Sequence, residues 1–294
     1  MKRKPFLVRP GSRVRLADYS TSHTPGVGAR ADAARLLADN VRSIAEAQTR
    51  LYAQDRWSLL IILQAMDGAG KDSTIKHVMS GVNPQGVQVT SFKAPTTHEL
   101  DHDYLWRSVA ALPQRGIIGI HNRSHYEEVL VVRVHPEFLT RQQLPPGVVS
   151  KKIWRQRYKQ IRHFESFLVQ NGTIVLKFFL HVSAEEQRRR FLERIEKPEK
   201  QWKFSLQDVK ERALWDDYQR AYEEMLEHTS TDEAPWFVIP ADHKWYMQLA
   251  VGELIVDALK RLSVEMPVVD AERRRELVEG KRLLSREGKP RVIP

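Results

Sequence analysis

The stretch from residue 57 to residue 71 restricts the fold more than any other part of the chain. WSLLIIL (57–63) is a continuous apolar run, followed closely by Asp67-Gly68-Ala69-Gly70-Lys71. A strand that is apolar at successive positions has no face for water, so it belongs inside a sheet covered on both sides. Glycines directly after such a strand permit a tight turn in which backbone amides converge. Ile75, Val78 and Met79 follow at helical spacing, and the new helix turns its positive N-terminal end toward the glycines. Strand, glycine-rich turn and helix in this order make an anion cradle.

Four further candidate strands follow at 87–92, 116–121, 173–181 and 236–239. Helical patterns separate them at 98–112, 150–170, 205–228 and 244–262, and a long helix over 29–54 precedes the first strand. Ser183 and Glu186 are spaced as a capping box opening another helix. Alternation of this kind implies a parallel sheet between helical layers. Residues 1–28, rich in Pro and Gly, read as an irregular arm, 29–266 as one domain, and 267–294 as a charged extension.

The usual phosphate-binding loop runs Gly, four residues, Gly-Lys, then Ser or Thr. Gly70-Lys71 fits, but Ala65 replaces the leading Gly and Asp72 replaces the hydroxyl, with Ser73 following. Backbone amides from Gly68 to Ser73 still suit phosphate oxygens, and Lys71 supplies a mobile cation. The lost hydroxyl is the usual magnesium-facing oxygen, so Asp67 is the candidate to take that role.

The run at 117–120 ends in His121-Asn122-Arg123-Ser124. In P-loop folds a neighbouring strand ends in a carboxylate that orients magnesium. Asn122 stands there and serves equally well as a helix cap or as a metal contact. Arg123 would point at the same phosphates. Glu128 offers a metal ligand or a group orienting the attacking oxygen, whereas His125 fits a structural histidine better than a catalytic one.

Three longer segments, GVNPQGVQVTSFKAPTTHELDHDYLWR (81–107), IGIHNRSHYEEVLVVRVHP (118–136) and APWFVIPADHKW (234–245), resemble the polyphosphate kinase 2 family over roughly residues 30–262. The resemblance implies an α/β thymidylate-kinase-like P-loop fold, a three-layer sandwich with a parallel five-stranded sheet and a helical lid. It implies phosphoryl transfer between inorganic polyphosphate and nucleotides, making ADP and ATP from AMP and ADP, with Mg2+ as cofactor and Mn2+ as its substitute. The family's loop Asp matches Asp67, its loop Lys matches Lys71, and its Arg after the second strand matches Arg123. Asn122 replaces a second metal-binding Asp, which resembles the subgroup acting on nucleoside mono- and diphosphates. Arg133 is expected to help neutralise the transferring group, and Lys93 and Arg107 to meet the acceptor nucleotide. The family's basic lid matches Arg188 to Lys203, with Arg188, Arg189, Arg190, Arg194, Lys200 and Lys203 as the polymer-holding cations. A homo-oligomer, dimer or tetramer, is expected.

Bulk properties agree. The formal charge of +10 predicts attraction to polyanions. The absence of cysteine excludes disulfides and thiolate chemistry. No apolar run is long enough for a membrane span or signal sequence, so a cytoplasmic protein with no membrane partner is expected. Two rivals share some of these features. An ATP-dependent nucleotide kinase needs no extended basic track. A nucleic-acid-binding protein would exploit the charge and Trp106, Trp154, Trp202 and Trp215, but these fall on helical stripes that read as core, and no nucleic-acid motif accompanies them.

Overall fold

The computed structural model describes residues 5–27, 30–262 and 264–286. Five parallel strands, β1 (Ser58–Gln64), β2 (Val87–Ser91), β3 (Ile118–Asn122), β4 (Thr173–His181) and β5 (Trp236–Pro240), form one sheet in the order β2-β3-β1-β4-β5. β1 lies in the middle and is buried along its whole length, as its uninterrupted apolar sequence requires. Strand order reverses at β1, so the crevice beyond its C-terminal end is where an open α/β sheet binds ligands.

The long helices are α1 (Arg30–Gln54), α2 (Lys71–Val78), α3 (Ile153–Gln170), α4 (Ala184–Glu196), α5 (Trp215–Thr229), α6 (Lys244–Arg261) and α7 (Ala271–Arg286). α1, α2 and α6 pack together in one layer, and α3 and α5 in another, giving the expected α/β sandwich. The helix expected over 98–112 is two short ones, Thr97–Leu100 and Trp106–Ala110. Thr96 and Glu99 close the first in a capping box, and the Asp103 carboxylate accepts the Leu105 amide before the second. The helix expected over 205–228 likewise breaks into Leu206–Glu211 and α5, with a 3-10 turn at Arg212–Leu214 between them.

The N-terminal arm is irregular but closely packed, with Phe6, Val8, Val14 and Leu16 buried. Leu7 bridges antiparallel to Phe237, the Val238 amide donates to the Phe6 carbonyl at 2.8 Å, and the Val8 amide donates to the Trp236 carbonyl at 3.0 Å. The arm therefore covers the outer edge of β5, which would otherwise expose unpaired backbone groups. α7 lies away from this core, and Leu277, Val278, Leu283 and Leu284 are exposed on it. Among the described residues no helix is long and apolar enough to cross a membrane.

Candidate active site

The turn after β1 owes its shape to two glycines. Gly68 and Gly70 adopt φ of 80° and 114°, which an L side chain rarely takes. A Cβ on Gly70 would also lie 2.9 Å from the Met247 Cε, and one on Gly68 2.9 Å from the Phe191 Cε1. α2 starts at Lys71, whose ammonium is nearly buried, donates to the Ala65 carbonyl at 2.9 Å and sits 3.9 Å from the Asp67 carboxylate. Burial, with Arg123 adding repulsion, pushes that ammonium below its usual range, although Asp67, Glu127 and Asp72 pull the other way.

β3 ends beside β1, with Asn122 opposite Leu63 in the register. The Asn122 side-chain amide donates to Asp72 at 2.7 Å, so its immediate role here is to hold the first turn of α2 against β3. Arg123 has a φ of 65°, uncommon outside glycine. Its guanidinium donates to Asp67 at 2.5 Å and lies 3.7 Å from Glu127. Burial alone would raise the Asp67 carboxyl, but Lys71, Arg123 and Arg194 outweigh it and hold the group below the usual carboxylate range. Asp67 therefore places an ionised carboxylate at the mouth of a cation-lined turn.

That mouth opens into a cleft of about 700 Å³. Asp67, Gly68, Gly70, Lys71, Asp72, Ser73, Lys93, Asn122 and Arg123 line it, together with Arg190, Arg194, Lys200, Lys203 and Lys244. Most sequence-predicted residues thus converge. Ala69 is buried beneath the turn. Arg190, expected as a lid cation, is 3% exposed and inside the structure of the turn. It donates to the carbonyls of Gly68 at 3.0 Å, Ala69 at 2.6 Å, Ala241 at 2.6 Å and Asp242 at 3.1 Å.

Several expected residues point elsewhere. Arg188 and Arg189 are exposed on the outer face of α4, paired with Glu185 and Glu186. Arg133 donates to the Tyr158 hydroxyl at 2.6 Å and to Glu224 at 2.5 Å, outside the cleft lining. Residues His125–Val129 form a 3-10 turn, so neighbouring side chains diverge. Glu127 faces Arg123, while Glu128 turns to Arg157 at 3.0 Å and Gln142 at 2.6 Å, where burial raises its carboxyl despite both partners. Arg107 shares that smaller cavity of about 230 Å³ with Glu128, and its guanidinium lies over the Phe92 ring at 5.0 Å. Trp106, Trp154 and Trp215 are half-buried, but Trp202, read from the sequence as core, is 78% exposed at the cleft.

The sequence reading missed a second cavity of about 410 Å³, which shares Asp67 and Arg123 with the basic cleft. His135, Phe138, Tyr218 and Tyr222 supply its rings, and Glu127, Gln187, Gln207, Asp208, Glu211 and Arg212 its other polar groups. Gln187 also donates to the Asp67 carbonyl at 2.8 Å. Among the described residues no group of three or more His, Asp or Glu is arranged to hold a metal by itself.

The family model described as Polyphosphate kinase 2 matches residues 29–267. The chain is 47% identical to an ADP-polyphosphate phosphotransferase of Rhodopseudomonas palustris, covering 95% of this chain and 97% of that protein. It is 44% identical to an AMP/ADP-polyphosphate phosphotransferase of Meiothermus ruber, covering 90% of this chain and 95% of the relative. A crystal structure of Polyphosphate Kinase 2 from Arthrobacter aurescens TC1 superposes with a TM-score of 0.83 at 42% identity, over 93% of this chain and 95% of that one. A buried cation-lined turn beyond the central strand, a basic cleft above it and matches of this extent lead to one assignment: the chain belongs to the polyphosphate kinase 2 family.

Proposed function

We propose that this protein transfers phosphoryl groups between inorganic polyphosphate and nucleotides, making ADP from AMP and ATP from ADP. The observation that carries the reading is the junction of two unlike cavities at Asp67 and Arg123. The larger is a track of cations suited to a polyanion without sequence. The smaller has aromatic and polar walls and falls in the size range of small-ligand sites, so it takes the acceptor nucleoside. Transfer then occurs where the two meet.

The chain's own part is positioning and charge neutralisation, since phosphoryl transfer asks little covalent work of the protein. Loop amides and Lys71 hold the phosphate being transferred, while Arg123 neutralises it from the other side. The acceptor phosphate is itself a good nucleophile, so no strong general base is required. Asp67, with water and substrate oxygens, would hold Mg2+, or Mn2+ in its place, and that ion would neutralise charge on the phosphates when bound. Arg194, Lys200, Lys203 and Lys244 hold the rest of the polymer, and Lys93, expected at the acceptor nucleotide, is grouped with them because it lines the basic cleft.

The test is to incubate purified protein with Mg2+, long-chain polyphosphate and either AMP or ADP, and to follow ADP and ATP by chromatography. Both products are expected. No product with either acceptor, together with phosphorylation of AMP by ATP, would return the ATP-dependent nucleotide kinase reading to first place.

A further inference from the structure

A track built to hold a polyanion has little use for a carboxylate, yet Glu193 lines the basic cleft. Two of the cleft's other acidic groups have evident tasks, since Asp67 pairs with Arg123 and Asp72 is held by Asn122. Glu193 stands in the last turns of α4, just before the break at Pro198. One of its oxygens accepts from both Lys197 at 2.7 Å and Lys200 at 2.6 Å. Of these lysines only Lys200 lines the cleft. The hydrogen bonds from Lys197 and Lys200 hold the Glu193 carboxyl at about 2, so it stays ionised across the working range.

Resting on the functional reading above, we propose that Glu193 is an internal competitor for the polyphosphate: it occupies Lys200 when the track is empty and weakens the track's hold on the polymer when it is full. A phosphate that takes Lys200 must displace the carboxylate or share the ammonium with it, and an uncompensated Glu193 then repels the chain. The use of such a brake follows from the reaction. Each transfer removes the terminal phosphate, so the polymer has to advance or leave before the next. A track of unopposed Lys and Arg would hold the shortened chain in place.

Glu193→Gln removes the charge while keeping an amide oxygen to accept from a lysine, so the tie between α4 and the following short helix survives. Glu185→Gln is the control, being the same change on the same helix at a residue outside the cleft lining. Binding of long-chain inorganic polyphosphate is measured by titration calorimetry without nucleotide, and KM and kcat for polyphosphate with ADP as acceptor. Glu193→Gln should lower the dissociation constant about fivefold at low salt, the upper size for one partly exposed charge, with a smaller difference at high salt. KM for polyphosphate and kcat should fall together, and Glu185→Gln should change neither. An unchanged or weaker affinity in Glu193→Gln, or equal tightening in Glu185→Gln, would overturn the inference while leaving the activity standing. Failure of the unaltered protein to bind polyphosphate would instead overturn the functional reading beneath it.

Discussion

Arg189 and Arg190 are adjacent, carry the same charge and share Glu186, yet their replacement should differ greatly in cost. The Arg190 guanidinium is buried against the turn, with Gly68, Ala69, Ala241 and Asp242 each offering it a carbonyl and Glu186 a carboxylate at 2.7 Å. Arg190→Met refills much of the volume but leaves the four carbonyls without their donor, while Glu186 keeps only its pair with Arg189. Buried acceptors left unsatisfied cost about 1–3 kcal/mol each, so a total of about 3–5 kcal/mol is expected, a large share of the roughly 5–15 kcal/mol by which domains are stable. At a few degrees per kcal/mol the melting temperature should fall by about 10 °C. The Arg189 side chain is 60% exposed and makes an i,i+3 pair, so Arg189→Met should cost no more than about 0.5 kcal/mol. Arg190→Lys keeps the charge but lacks the planar fork that reaches carbonyls on both sides, so it should lose most of the same stability. Differential scanning calorimetry of the three variants, paired with polyphosphate KM, separates the roles. A melting temperature of Arg190→Met within about 2 °C of the unaltered protein, with a raised KM, would show that Arg190 holds polymer and that its buried bonds are incidental.

Asp67→Asn should lower turnover about 100-fold or more, the scale on which one preorganised electrostatic group acts, with far-UV circular dichroism unchanged; near-normal turnover would remove Asp67 from the metal role. Lys200→Gln and Lys203→Gln should each raise KM for long-chain polyphosphate, most at low salt, and a salt-independent change would point to lost packing instead of lost charge. Stability should decline in mild acid. Burial holds His121 and His181 at about 4 against an ordinary value of 6.5, so the unfolded chain binds their protons first as pH falls. Their stabilisation is complete above 6.5 and is lost progressively down to about 4, at a cost of about 3 kcal/mol each. Urea midpoints at pH 7 and pH 5 measure the drop, and His121→Gln, if folded, should flatten it.

The sheet was legible because β1, β3, β4 and β5 are largely apolar at successive positions, with only the edge strand β2 partly exposed, and the turn because glycine, lysine and a following helix leave few alternatives. What the sequence hid was phase. Arg188, Arg189 and Arg190 look alike in a row, but a helix turns each by about 100° from the last. The buried face was marked all the same. Gln187, Arg190 and Phe191 are buried together on α4 at i, i+3 and i+4, the spacing of one face. Glu128 lies away from the expected place for a related reason, since the 3-10 turn sends Glu127 to Arg123 and Glu128 to Arg157. Lys244 gave no signal, because nothing local to the first turn of α6 reveals that the preceding loop faces the cleft. The second cavity was out of reach from sequence, as it is assembled from segments far apart in the chain.

The conformation of Arg123 shows how the core serves the site. A non-glycine residue at a φ of 65° costs about 1–3 kcal/mol and persists only where its surroundings over-determine it. On one side the Arg123 amide is fixed to the Leu63 carbonyl at 3.1 Å. On the other the chain is clamped at Tyr126, whose hydroxyl donates to Glu165 at 2.7 Å and accepts from Lys177 at 2.9 Å. Lys177 is fully buried on β4 and spends its other protons on Glu165 at 2.5 Å and the Thr229 carbonyl at 2.8 Å. An apolar group at such a position is often as stabilising as an ion pair, so stability alone does not account for a buried lysine here. Geometry does. The network ties β4, α3 and α5 to the residues just after Arg123, and the amide bond to β1 ties the other flank. Between two fixed flanks the backbone takes the strained turn, and the guanidinium arrives at Asp67 before any substrate binds. On the proposed mechanism, the reorganisation that a flexible arginine would require is thus completed during folding, by residues outside the basic cleft.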